Sequence, residues 1–194
     1  NGRPAKPSGY SSAAVEEILD QYTIPQTCTG TQPTNILMVM NESLADMRVG
    51  RTDYTANELE FWNSLIRNTV HGNLFVSTRG GGTSNTEFET LTGNSMAFLP
   101  AGSAPYVNLI RQPVFSLARY FQNAGYQTAG LHLMDRSNYN RKTIYPLLGL
   151  TSFWALEDYD SVDALRGYAT DRDDYQKLIA LEESMANAPR FLFN

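Results

Sequence analysis

Apolar residues along this 194-residue chain fall into two kinds of run. The short continuous ones, Ile36-Leu37-Met38-Val39-Met40, residues 74–77, residues 127–133 and Phe191-Leu192-Phe193, have the length of strands. Continuity rather than alternation predicts parallel strands covered on both faces. Between them the spacing turns helical: Val15, Ile18, Leu19 and Tyr22 behind a cap at Ser11 or Ser12 and ahead of a stop at Pro25; Leu59, Trp62, Leu65 and Ile66 behind a Thr55…Glu58 capping box; and a helix opened by a Ser84…Glu87 capping box and ending near Gly93. Further on come Leu117, Ala118 and Phe121, with Pro113 in the first turn and Gly125 as the stop. Ile144, Leu147 and Leu148 follow in a helix closed by Gly149, and Leu178, Ile179, Leu181 and Met185 in one that starts at Asp173 or Asp174.

Strands alternating with helices predict an α/β fold, a mostly parallel sheet sandwiched by helices. Residues 1–34 read as a Gly- and Pro-rich linker with one short helix, 35–194 as part of the α/β domain, and 157–174 as an acidic loop. Phe191-Leu192-Phe193 looks like a strand only just begun. Domain boundaries fall in exposed linkers, so the expectation is a domain incomplete at the C-terminus, with apolar surface that favours self-association.

Three places in this pattern carry candidate chemistry. Arg79-Gly80-Gly81-Gly82-Thr83 joins an apolar run to a helix start, where bare backbone and free N–H groups favour a negative ligand and a hydroxyl can act as nucleophile. It also reads as an ordinary flexible turn with a Thr cap, and without a Lys before Thr83 it is no P-loop. Glu42 follows the first strand, where open α/β sheets place their ligands, or else begins a solvated loop. Arg141 sits in a helix first turn, the wrong end for a cation, and reads either as held there for an anion or as solvated.

Charge and cysteine content narrow the classes. A net charge of −5 argues against nucleic acid as the main partner, and the lone Cys28, read as a loop residue, excludes an intramolecular disulfide and a Cys-based zinc cluster. No apolar run is as long as a membrane span, and Asn1-Gly2-Arg3-Pro4 carries neither an initiator Met nor a signal peptide.

Three motifs occur in order: Met40-Asn41-Glu42-Ser43; Gly80-Gly81-Gly82-Thr83-Ser84-Asn85-Thr86-Glu87-Phe88-Glu89 with Leu91-Thr92-Gly93-Asn94-Ser95; and Asn138-Tyr139-Asn140-Arg141. Together they resemble the lipoteichoic acid synthase-like phosphoglycerol transferases of the sulfatase and alkaline phosphatase superfamily, from about residue 35 to 194. The resemblance implies that Thr83 is the nucleophile and a ligand of a divalent metal, manganese first, with magnesium or zinc as alternatives. It implies Glu42 as a second ligand, and His132, Tyr139, Asn140 and Arg141 as the groups that bind phosphoglycerol, Arg141 through its fork of donors.

What the resemblance implies about activity is transfer of glycerophosphate from phosphatidylglycerol to a glycan or polyglycerolphosphate acceptor, outside the cytoplasm at a bacterial cell membrane. Metal coordination would supply the acidity that a Thr hydroxyl lacks. The family's remaining metal ligands, an Asp-His pair, have no match among these residues, whose only histidines are His71 and His132. Its membrane helices have none either, and the expectation for this chain alone is catalytic silence. The other readings are a metal-dependent phosphodiesterase or phosphatase using water, and a non-catalytic binding module. A sulfatase proper is disfavoured, because Thr83-Ser84-Asn85 stands where Cys or Ser in a Cys-x-Pro-x-Arg setting is required.

Overall fold

The computed structural model describes residues 5–22, 33–49, 51–185 and 187–194; the expected stop at Pro25 and the loop at Cys28 lie outside them. In chain order the elements are α1 (Ser12–Leu19), β1 (Ile36–Met38), α2 (Glu60–Ser64), α3 (Thr83–Thr92), α4 (Leu117–Asn123), β2 (Gln127–His132), α5 (Arg141–Leu148), β3 (Ser152–Ala155), β4 (Ala164–Leu165), β5 (Tyr168–Ala169), α6 (Asp171–Ser184) and β6 (Arg190–Phe193). Four of the strands form one parallel sheet in the order β1-β6-β2-β3.

The sheet is covered on both sides, as the continuous apolar runs predict. Phe191 and Phe193 face one layer with Phe88 and Leu91 of α3, Ala118 of α4 and Ile144, Tyr145 and Leu148 of α5. Leu192 points the other way, to Ala129, Leu131 and the Leu178 and Leu181 of α6. Each fully buried Phe of β6 contributes about 1.5–3 kcal/mol by leaving water. Arg190 fastens that strand to α6: it pairs with Glu182 and donates from Nη1 to the Met185 carbonyl, where a cation complements the helix C-terminus.

Several expectations are corrected. Among the described strands the first lies at the sheet's edge with Leu37 exposed, not covered on both faces as its continuous apolar run predicts, and the interior belongs to β2 and to β6, all four of whose residues are buried. Residues 74–77 form no strand, because none of the described strands lies beside them, and Leu74 and Phe75 are exposed. Their chain is instead tied to α3 by side chains: Ser77 donates to Glu89 Oε2 (2.6 Å), and the hydroxyls of Thr78 and Thr86 meet at 2.8 Å.

Neither expected capping box forms. Glu58 is taken by the Tyr54 hydroxyl, and the following helix is one short turn with Trp62 and Ile66 exposed. Gly82 rather than Ser84 caps α3, which places Ser84 inside the helix and frees Glu87 for another partner. Pro113 lies ahead of α4, whose cap is Ser116, accepting from the Arg119 amide. The α6 helix opens at Asp171, and its Ile179 faces solvent. The acidic stretch contains a hairpin, β4–β5, closed by Arg166 and Gly167 at φ 54° and 83°, a two-residue turn that the flanking polarity concealed. Ser11 caps α1 as expected, but none of that helix is buried.

Candidate active site

At the carboxyl ends of β1, β2 and β6 a cleft of about 620 Å³ opens, the position where parallel sheets bind ligands. Glu42 borders it just beyond β1, His132 ends β2 within it, and Thr83 enters it as the first residue of α3. Gly80, Gly81 and Gly82 run at φ 69°, 129° and 83°, conformations that side chains resist, so the glycines serve the turn that delivers Thr83. No side chain caps the helix that begins there.

Burial lowers the pKa of His132 to about 4, with the Arg141 charge adding to the effect. At neutral pH its ring is therefore an uncharged donor and acceptor. Glu42 is exposed, so its carboxylate stays hydrated and available.

Arg141 finds its anion inside the protein. Its Nη2 lies 2.5 Å and its Nε 3.0 Å from Glu87 Oε1, while Nη1 donates to Asn138 Oδ1 at 2.5 Å, and the side chain is fully buried. Burial works against the guanidinium charge, but the Glu87 carboxylate outweighs it and raises the pKa. Tyr145 donates to Glu87 Oε2 at 3.2 Å; burial and then the Glu87 charge push its own pKa far up, as they do for Tyr106, whose buried hydroxyl has no hydrogen-bond partner among the described residues.

Tyr139 and Asn140 both adopt left-handed backbone, at φ 49° and 63°. Asn140 Nδ2 donates to the Tyr106 carbonyl (3.1 Å), and the Arg141 guanidinium lies 5.2 Å from the Tyr139 ring centre. Of the residues expected at the site, the cleft brings together Glu42, Thr83 and His132. Tyr139, Asn140 and Arg141 do not line it. They reach it through Glu87, which does, and the direct grip on phosphate expected of Arg141 gives way to a fork already filled by Glu87 and Asn138.

A further part of the lining has no counterpart in the sequence reading: Tyr168, Asp171, Asp174 and Tyr175 line the cleft too, and the Tyr175 hydroxyl donates to Asn41 Oδ1 (2.7 Å), next to Glu42. Tyr168 comes from the hairpin, which only Gly167 inside the Ala-Leu-Arg-Gly-Tyr-Ala stretch signalled, and the other three from the start of α6. Among the described residues no three His, Cys, Asp or Glu side chains gather as a metal cluster. Glu42 and Thr83 share the cleft as oxygen donors, a chemistry that fits a hard divalent cation such as manganese or magnesium better than zinc.

With this geometry in view, the chain belongs to the sulfatase family, whose model matches residues 34–194. It is 31% identical over 188 residues to a protein of Rhizobium meliloti (strain 1021) provisionally named for cyclic beta-1,2-glucan modification, covering 96% of this chain and 28% of that one. Among solved structures it resembles the lipoteichoic acid synthase LtaP of Listeria monocytogenes (TM-score 0.53, 22% identity, 61% of this chain and 29% of that chain). It also resembles the phosphoglycerol transferase GacH of Streptococcus pyogenes, solved with sn-glycerol-1-phosphate (TM-score 0.50, 25% identity, 61% and 32%). The chain thus spans about a third or less of the length of these relatives. Among the described residues no helix is long and apolar enough to cross a membrane.

Proposed function

We propose that these residues form part of the active site of a phosphoglycerol transferase that moves glycerophosphate from a phosphatidylglycerol-type lipid to a glycan, on the extracytoplasmic side of a bacterial cell membrane. The observation that carries the reading is the convergence of Thr83, Glu42 and His132 in one cleft of a sulfatase-family fold. A threonine at the corner, in place of the Cys or Ser of sulfatases proper, favours phosphoryl over sulfate chemistry.

In the first step the Thr83 hydroxyl forms a bond to phosphorus as the bond to the diacylglycerol oxygen breaks, and diacylglycerol leaves with the proton. In the second an acceptor hydroxyl displaces Thr83 and returns a proton to it. Glu42 and Thr83 would hold the divalent cation, manganese in first place, which supplies charge neutralisation on the phosphoryl oxygens and activates the hydroxyl when bound. His132, neutral at pH 7, orients the phosphoglycerol by hydrogen bonding; Tyr139, Asn140 and Arg141 stand behind the lining and act on it through Glu87.

The charge of the cleft supports both the cation and the acceptor. Its described lining carries the carboxylates Glu42, Asp171 and Asp174, besides Glu87 whose charge Arg141 balances from behind, and no Lys or Arg, so a phosphodiester enters beside a cation. The same wall repels polyglycerolphosphate and suits a neutral glycan, whose hydroxyls donate to carboxylates and whose ring faces pack on Tyr168 and Tyr175. The name of the Rhizobium relative points the same way.

The test uses the full-length protein with phosphatidylglycerol labelled in its headgroup glycerol, a neutral cyclic glucan and manganese. Label should appear on the glucan, and Thr83→Ala should reduce it by roughly a thousandfold or more without unfolding the protein. Free glycerol phosphate as the sole product would replace the transferase by a phosphodiesterase, and no turnover with bound ligand would leave a binding module.

A further inference from the structure

The hydrogen bonds around Glu87 do more than satisfy a buried charge. Glu87 follows Thr83 by four residues in α3, so the two stand one turn apart on one face, and both line the cleft. From that position the carboxylate receives Arg141 Nε and Nη2 and the Tyr145 hydroxyl. Arg141 in turn holds Asn138 through both its carbonyl and its side-chain oxygen. Between Asn138 and Arg141 lie Tyr139 and Asn140, two consecutive non-glycine residues in left-handed backbone, a costly arrangement that persists only where its surroundings over-determine it.

We propose that Glu87 is a positioning residue for the transfer reaction: it fixes Arg141, and through it the left-handed Tyr139–Asn140 pair, in register with the nucleophile Thr83. The role rests on the transferase reading above. One side chain thereby couples the helix that carries the nucleophile to the segment that backs the cleft wall. The local sequence hides this, because Glu87 stands three residues after Ser84 and has the spacing of a cap, a task it does not perform.

The coupling differs from plain structural support in what it predicts. A merely structural Glu87 would, on mutation, reduce the fraction of folded enzyme, which lowers kcat and leaves KM alone. A positioning Glu87, which lines the cleft one turn from Thr83 and is braced by Arg141, sets the shape of the wall that meets the substrate, and its loss appears in KM and in ligand affinity. The experiment uses the full-length protein with manganese and compares wild type, Glu87→Gln and Glu87→Asp. For each, KM and kcat for phosphatidylglycerol, the calorimetric Kd for sn-glycerol-1-phosphate, and a crystal structure are obtained.

Glu87→Gln keeps the shape but removes the charge that holds Arg141. It should raise KM and Kd at least tenfold, with kcat falling less, and the structure should show Tyr139 or Asn140 out of the left-handed region. Glu87→Asp keeps the charge on a shorter arm and should fall between; it decides by the same criteria if Glu87→Gln yields no folded protein. Unchanged KM and Kd with a lower kcat, or a Tyr139–Asn140 backbone unmoved in the variant, would overturn the proposal. If the wild type itself transfers no glycerophosphate, the transferase reading fails, and the variant's Tyr139–Asn140 backbone still reports on whether Glu87 holds that segment.

Discussion

A methyl group on Gly130 would stand 2.7 Å from the ring of Tyr145. Gly130 lies on β2 opposite Phe153 of β3 and Phe193 of β6, so the ring occupies the space that a side chain would take at the middle of the sheet. That close approach lets the Tyr145 hydroxyl reach Glu87.

Replacing Gly130 by Ala should therefore destabilise the protein by about 1–3 kcal/mol through overpacking, despite the usual gain of Ala over Gly in an element interior. Urea unfolding of the full-length protein measures it. A neutral or stabilising result would mean that the Tyr145 ring can shift, and with it the hydroxyl bonded to Glu87.

His132 gives a pH signature. Its pKa falls from an ordinary 6.5 to about 4 on folding, so between those values the unfolded chain binds the extra proton. The stability that this neutral ring contributes is complete above about 6.5 and is lost as the pH falls toward 4. An NMR titration should find the imidazole midpoint near 4, and melting temperatures should decline over the same window. A midpoint near 6.5 would show that the ring charges freely where it stands.

Metal affinity separates this chain from the whole protein. Glu42 and Thr83 are two oxygen donors, too few for tight retention of a divalent ion. Calorimetric titration of manganese into the 194-residue chain should give binding weaker than micromolar and reversed by chelator, without turnover of phosphatidylglycerol. Micromolar or tighter binding with turnover would show that these residues hold a complete site.

The class of fold and two corners of the cleft, at Glu42 and Thr83, were legible in the residues for a physical reason, whereas His132 came only with the family resemblance. Continuous runs such as those at Ile36–Met38 and Phe191–Phe193 have the length and composition of parallel strands, and a Gly-Gly-Gly-Thr turn into a helix has a restricted geometry. What stayed hidden depends on partners distant in sequence. Ser84 and Glu87 have the same spacing whether Glu87 caps its helix or crosses 54 residues to Arg141, and only tertiary packing chooses between them. Residues 74–77 have strand composition, but a strand exists only beside another, and none of the described strands lies there. Strand order is likewise absent from local pattern, which is why the last apolar run was not seen as the middle of the sheet.

That order sets a constraint in time. Residues 36–38 and 127–130 touch opposite sides of residues 190–193 and not each other, so among the described strands the first pairs only with one made more than 150 residues later, which joins it to the others. Pairings of such long sequence separation close large loops before they are rewarded, and they slow folding. During synthesis the helices can form early, but the four-stranded sheet comes together in one late event. Until then the apolar β1 segment lacks its partner among the described strands, and it is during that interval, rather than in the finished protein, that misassociation and chaperone demand should be greatest.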